Sequence, residues 1–169
     1  MTVQSEEERI ARLEQYINKV EQAQQVMLEA IQRGDFEAFS EEDVRFHLSH
    51  DPNMIAEAGL YVAKFRRNYE YAKLDTKLIT AEIWKEANQN KEMLGLSNAK
   101  DRDAYVTTQP RYQEAVRQEI EWKYRLEQME VIYDRYENLF VGSRKIASII
   151  EKDTQNNYRI EKYGGPDAD

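Results

Sequence analysis

Two long stretches of this chain carry an apolar residue at every third or fourth position, and few folds can accept that pattern. The first stretch runs from Pro52 to about Leu94. Within it Ile55, Ala58, Val62, Phe65, Tyr69, Ala72, Thr76, Ile79 and Ile83 keep a strict 3,4 alternation. The second runs from Pro110 to about Glu151. Trp122, Leu126, Met129, Tyr133, Tyr136 and Phe140 repeat the spacing there, with Val116, Ile120 and Tyr124 alongside. Such spacing is that of a coiled-coil seam, with the apolar residues on one helical face. Helices of roughly 40 residues are about 60 Å long, so each seam needs a partner of similar length. The partner is the other helix or another copy of the chain.

The rest of the chain reads as helix starts and stops. Ser5-Glu6-Glu7-Glu8 is a capping box, and Ile10, Leu13, Ile17, Val20, Met27 and Ile31 follow at helical spacing up to Gly34. Ser40-Glu41-Glu42-Asp43 is a second start. Asp51-Pro52 reads as the cap and first residue of the long helix. Gly95 to Gln109 is polar and reads as a loop. Gly142 is a candidate bend, and the tail from residue 153 is expected to fray. The expected fold is therefore all-α. Two long heptad-patterned helices are joined by a polar loop and preceded by a shorter helical arm, in an oligomeric helical assembly. The expected parts are an acidic arm over residues 1–50, a core over 51–152 and a tail over 153–169.

Charge separates these parts. The net charge is −8. Residues 1–50 hold five Lys/Arg against eleven Asp/Glu, whereas residues 51–112 hold ten against nine. A near-neutral middle can still present a basic face. No apolar run of membrane-spanning length is present, and the start is acidic rather than basic-then-apolar. A cytoplasmic location follows as the expectation, that of the host cell if the chain is phage-encoded. With no cysteine, thiolate and disulfide chemistry are excluded.

Catalytic patterns are missing from the sequence. There is no nucleophile elbow, no phosphate-cradling glycine loop and no zinc spacing. His47 and His50 stand three apart near Asp43 and Asp51, but a metal site needs more ligands than this, and a helix end with capping imidazoles suits them better. No metal, no cofactor and no enzymatic activity are expected.

Basic and aromatic residues interleave three times: around Tyr61–Lys73, around Lys100–Tyr112 and around Trp122–Tyr136. Single-stranded nucleic acid is bound by this mixture, cations taking phosphates and rings taking bases. The first and third groups partly occupy the seams, where flanking Lys and Arg ordinarily snorkel or pair with Glu. The middle group has no seam to fill, so Lys100, Arg102, Tyr105 and Arg111, supported by Lys85 and Lys91, are the candidate contacts.

From Pro52 onward the layout resembles the phage recombination mediator proteins of the UvsY type. The resemblance is carried by Ile55-Ala56-Glu57-Ala58-Gly59-Leu60-Tyr61 running on to Ile83-Trp84-Lys85. It continues through Ser97-Asn98-Ala99-Lys100-Asp101-Arg102-Asp103-Ala104-Tyr105 and a second helix with Tyr112, Glu119, Trp122, Leu126 and Tyr133. It ends in Phe140-Val141-Gly142-Ser143-Arg144-Lys145-Ile146, covering roughly 100 of the 169 residues. Members of that family form rings, bind single-stranded DNA, weaken its hold on single-strand-binding protein and help load a RecA-like recombinase. The resemblance implies those partners here, with DNA contact at Lys100 and Arg102, which match the family's basic Lys-x-Arg element. The heptad seams point to a homo-oligomer held through Val62, Phe65, Tyr69, Ile79, Ile83, Trp122, Leu126, Met129, Tyr133, Tyr136 and Phe140. Two departures stand out: the acidic extension before Asp51, and Asp101 and Asp103 inside the basic element. The competing expectation is a helical scaffold or adaptor, for phage assembly or anti-defence, that acts through protein contacts alone.

Overall fold

A computed structural model describes residues 5–35 and 41–163, and among them there are helices and turns but no strand. The helices are α1 (Glu6–Arg33), α2 (Glu41–Gln89), α3 (Ala99–Thr108) and α4 (Pro110–Tyr163). They form two compact units. One comprises residues 1–59 and 131–169, the other residues 60–130.

The first unit packs α1 with the start of α2 and the end of α4. At the head of α1 the Ser5 hydroxyl accepts the Glu8 amide at 3.2 Å, while the Glu8 carboxylate accepts the Ser5 amide at 3.0 Å. Gly34, at φ 72°, ends the helix. Its amide donates to Ile31 and that of Asp35 to Ala30, which satisfies the last carbonyls in a Schellman arrangement. The expected start and stop of α1 therefore hold. Leu13, Ile17, Val20, Met27 and Ala30 of α1 are buried, as are Ile132, Tyr136, Leu139 and Ile146 of α4, and Met27 clusters with Ile146. Tyr136 is 0% exposed, and its hydroxyl donates to the Leu13 carbonyl at 2.8 Å. Arg135 grips Glu21 with two hydrogen bonds of 2.9 and 2.7 Å and reaches Asn18 at 2.7 Å.

Three local expectations are corrected in this unit. First, α2 does not begin at Pro52; it runs through it from Glu41. A proline inside a helix removes one amide donor and crowds a carbonyl one turn back, costing about 3 kcal/mol. Burial on both sides offsets that. Leu48 joins a cluster with Met27 and Ile146, and Asp51, which is 0% exposed, accepts the Ser143 hydroxyl at 3.3 Å. Second, Gly142 does not interrupt α4. A Cβ there would lie 2.5 Å from the Gln24 amide nitrogen, so glycine lets α1 approach closely. The Gln24 amide uses that approach to donate to the Leu139 carbonyl at 2.9 Å. Third, the chain expected to fray from residue 153 is helical as far as Tyr163. Ser40, named as a helix cap, and the last six residues lie outside the described residues.

The second unit contains an antiparallel pairing of α2 with α4. Arg66 meets Glu130 and Arg111 meets Glu82, each at 2.7 Å, so early residues of α2 face late ones of this stretch of α4. The seams meet between these ion pairs. Val62, Phe65, Ala72 and Ile83 are buried, as are Ala115, Leu126 and Met129, and the Phe65 and Trp122 rings stand 6.0 Å apart.

This bears directly on the seam assigned to a homo-oligomer. Val62, Phe65, Ile83, Leu126, Met129 and Tyr136 are buried within a single chain, and Tyr69, Ile79, Trp122, Tyr133 and Phe140 are half-buried. Covering these residues requires no second copy. Fully burying an aliphatic or aromatic side chain contributes about 1.5–3 kcal/mol, so the paired helices supply their own driving force.

Candidate nucleic-acid interface

The stretch expected to be a loop is mostly a helix. Gly95, at φ 67°, closes the turn after α2, and the Leu96 amide returns to the Lys91 carbonyl at 2.8 Å. Asn98 then caps α3. Its side chain accepts the Asp101 amide at 3.0 Å, and the Asp101 carboxylate accepts the amides of Ser97 and Asn98 at 2.9 and 3.2 Å. This is a capping box with Asp in place of Glu. The aspartate that dilutes the positive charge of the Lys-Asp-Arg element thus holds that element in helical form. Val106 is the only residue of α3 that is buried.

α3 positions its side chains against the end of α2. The Trp84 indole N–H donates to the Asp103 carboxylate at 3.2 Å. The Arg102 guanidinium lies 5.2 Å from the centre of the same ring, a cation–π arrangement. Arg102 is half-buried, and its Nε is enclosed without a hydrogen-bond partner. Trp84 keeps 37% of its surface exposed. It forms one side of an open cleft of about 620 Å³ whose lining includes Tyr112, Val106, Thr80 and Lys77. The Thr80 hydroxyl donates to its own helix at the Thr76 carbonyl, 2.6 Å away.

The six residues named from the sequence fall into two groups. Lys85, Lys91 and Lys100 are exposed and form no ion pair among the described residues. Arg102, Tyr105 and Arg111 are engaged. Arg102 stacks on Trp84, Tyr105 is half-buried, and Arg111 bonds Glu82 at 2.7 Å and Glu86 at 3.7 Å. The ring that the fold presents is Trp84, with Tyr112 beside it, rather than Tyr105. Trp84 lies beside the seam position Ile83 and is flanked by Glu82, Lys85 and Glu86, and in the sequence it stands out only within the Ile83-Trp84-Lys85 stretch of the resemblance.

In the flanking basic-aromatic groups several cations meet a carboxylate or ring on their own helix. Arg125 pairs with Glu121 at 2.7 Å and stacks over Trp122 at 5.1 Å. Lys73 lies 5.7 Å from the Tyr69 ring and 3.9 Å from Glu70. Among the described residues no group of three His, Cys, Asp or Glu could hold a metal ion, and no helix is long and apolar enough to cross a membrane. His50 sits on Phe46, with ring centres 4.0 Å apart, and its Nδ1 is 3.0 Å from the Phe46 carbonyl. The side chain of His47 lies outside the described residues. Comparison with protein-family models, with curated proteins and with solved structures finds no match.

Proposed function

We propose that this chain binds single-stranded DNA through the face formed by the end of α2 and α3, and that it acts as a recombination mediator helping to load a RecA-like recombinase. The observation that carries the reading is the cleft beside Trp84. A part-exposed indole, fixed by Asp103 and Arg102, stands next to Tyr112 and Lys77. Lys85 is the next residue on α2, and Lys91 and Lys100 flank the turn that leads into α3. Base stacking on an aromatic contributes about 1–3 kcal/mol per base and tolerates any sequence. Lysines free of carboxylate partners are available to phosphates. The mediator role rests on the layout shared with UvsY-type proteins. Self-association would repeat this modest set of cations, and weak contacts repeated in one assembly gain through avidity.

Fluorescence anisotropy of a labelled oligonucleotide across a salt series tests the reading. Binding at low salt that weakens steeply as salt rises supports it. No binding at low salt removes it.

A second reading, a helical adaptor without nucleic acid, is favoured by one feature. Tyr71, Leu74 and Leu78 lie on the outer face of α2 at 61%, 51% and 54% exposure, with Leu60 also exposed on that helix. Contiguous apolar surface of this kind marks protein contact sites. The two readings share this surface: a mediator also needs one for its protein partners.

A further inference from the structure

A second stripe runs along α2 on the face turned away from α4. Leu60, Arg67, Tyr71, Leu74, Leu78 and Ala81 keep a 3,4 spacing of their own, with Lys64 at the remaining step. All of these positions are exposed. Single exposed leucines are ordinary, but three large apolar side chains on successive steps, Tyr71, Leu74 and Leu78, are not. Repeated at coiled-coil spacing, they call for another helix. α4 does not supply it, because α4 covers the inner seam of α2, where Phe65, Ala72 and Ile83 are buried.

Charge selects the occupant. In a parallel pair of α2 helices Lys64 would meet Lys64 of the second copy, and Arg67 would meet Arg67, in the middle of the contact. An antiparallel pair avoids this. With Tyr71 against Leu74 of the second copy, Arg67 lies against Leu78 and Lys64 against Ala81. On one flank Glu70 then faces Lys77, and the two-fold axis repeats that pair. On the other flank Asn68 faces Asp75. Sliding by one heptad in one direction sets Lys77 against Lys77 and Asp75 against Asp75. Sliding in the other direction sets Glu70 against Glu70. The register that joins the apolar side chains is therefore the one in which the flanking charges are opposite. Glu70 and Lys77 are both exposed, and Lys73 approaches Glu70 only to 3.9 Å.

We propose that two copies of this chain associate antiparallel through the outer face of α2, with Tyr71 and Leu74 at the centre and Glu70–Lys77 ion pairs alongside. The Arg67 stem lies along the contact while its guanidinium stays in water. A polar step inside the stripe weakens the pair relative to an all-apolar seam and fixes its register. The contact leaves the buried seams of the single chain as they are, and it does not rest on DNA binding at the Trp84 face.

Sedimentation equilibrium of the full chain over a concentration series tests the proposal. The parent is expected to pass from the mass of one chain to that of two. Leu74→Glu/Leu78→Glu should stay at one, with a circular dichroism spectrum like the parent's because both positions are exposed. Ile120→Glu/Tyr124→Glu, which alters exposed positions of α4 instead, should dimerise as the parent does. Glu70→Lys and Lys77→Glu should each weaken the dimer several-fold, since each turns two attractive pairs repulsive, and the double exchange should restore it. A parent that stays at one chain at every concentration, or assembles beyond two, overturns the proposal. So does dimerisation that survives Leu74→Glu/Leu78→Glu or is lost in the α4 variant. Single exchanges without effect, or a double exchange that restores nothing, overturn it as well.

Discussion

The Trp84 indole donates its N–H to the Asp103 carboxylate across 3.2 Å, linking α2 to α3 through an exposed aromatic. An acidic residue in a basic element looks unhelpful for binding DNA. Here it orients the ring on which, in the proposed function, a base would stack, and Arg102 lies over that ring at 5.2 Å. Asp101 has a parallel role as the helix cap. The two aspartates order α3 and the Trp84 ring while lowering the positive charge of the proposed site.

That trade can be separated by substitution. Asp103→Asn keeps an oxygen acceptor for the indole and removes one negative charge. Oligonucleotide affinity is expected to rise by a few-fold at low salt and to converge with the parent as screening shortens the reach of the charge. Anisotropy at two salt concentrations reads both effects.

The lysines should show themselves in the salt slope rather than in sequence preference. Each phosphate contact on a single strand contributes about 0.7 to the slope of log affinity against log salt. Lys85→Ala/Lys100→Ala is expected to lower that slope by about 1.4. Arg111→Ala should change it less, because Glu82 and Glu86 already hold that guanidinium.

Much of this fold can be read from the chain, and the failures have identifiable causes. The heptads of α2 and α4 predict buried faces correctly, because a 3,4 spacing leaves Phe65, Ile83 and Met129 nowhere but inside. Spacing alone does not say whose helix covers them. In the single chain α2 and α4 cover each other over this stretch, with Arg66 bonded to Glu130, 64 residues away. Pro52 misled for a related reason. Local rules end a helix there, but the burial of Asp51 against Ser143 comes from residues about 90 positions distant. α3 escaped notice because it buries only Val106, so it has no apolar stripe to read. Its Asn98–Asp101 capping box was visible all along. At the site, free and committed cations look alike in sequence. Lys100 and Arg111 differ only through the carboxylates that the fold brings to Arg111.

Stability of the first unit should depend on the Tyr136 hydroxyl. Tyr136→Phe removes its bond to the Leu13 carbonyl and is expected to cost about 1 kcal/mol. Tyr136→Ala also opens a cavity and should cost about 3–5 kcal/mol. Burial pushes the phenol well above its ordinary value of 10.0, with Tyr16 and Asp51 adding to the effect. The folded state therefore favours the neutral phenol. That stabilisation is intact below pH 10 and is lost as pH rises beyond it toward the folded value. Denaturant melts at increasing alkaline pH should show a steeper loss for the parent than for Tyr136→Phe.

The acid side is expected to behave oppositely at Glu21. Its hydrogen bonds from Arg135 hold the carboxyl below its ordinary value of 4.5, against a smaller opposing effect of burial. The resulting stability is present above that value and disappears as pH falls through the lowered folded one. The pair is partly exposed, so the effect is small, of order 1 kcal/mol or less. Glu21→Gln should be slightly less stable than the parent at pH 7 and indistinguishable from it once the parent carboxyl is protonated.

The most direct measurement is fluorescence anisotropy of a labelled single-stranded oligonucleotide at low salt, comparing the parent with Trp84→Ala. Stacking at Trp84 calls for parent binding and a loss of about 1–3 kcal/mol in the variant, roughly five- to 150-fold in affinity, measured at a temperature where both proteins are folded by circular dichroism. Equal affinities for the two proteins, or no binding by the parent, would contradict a DNA-binding role for this face.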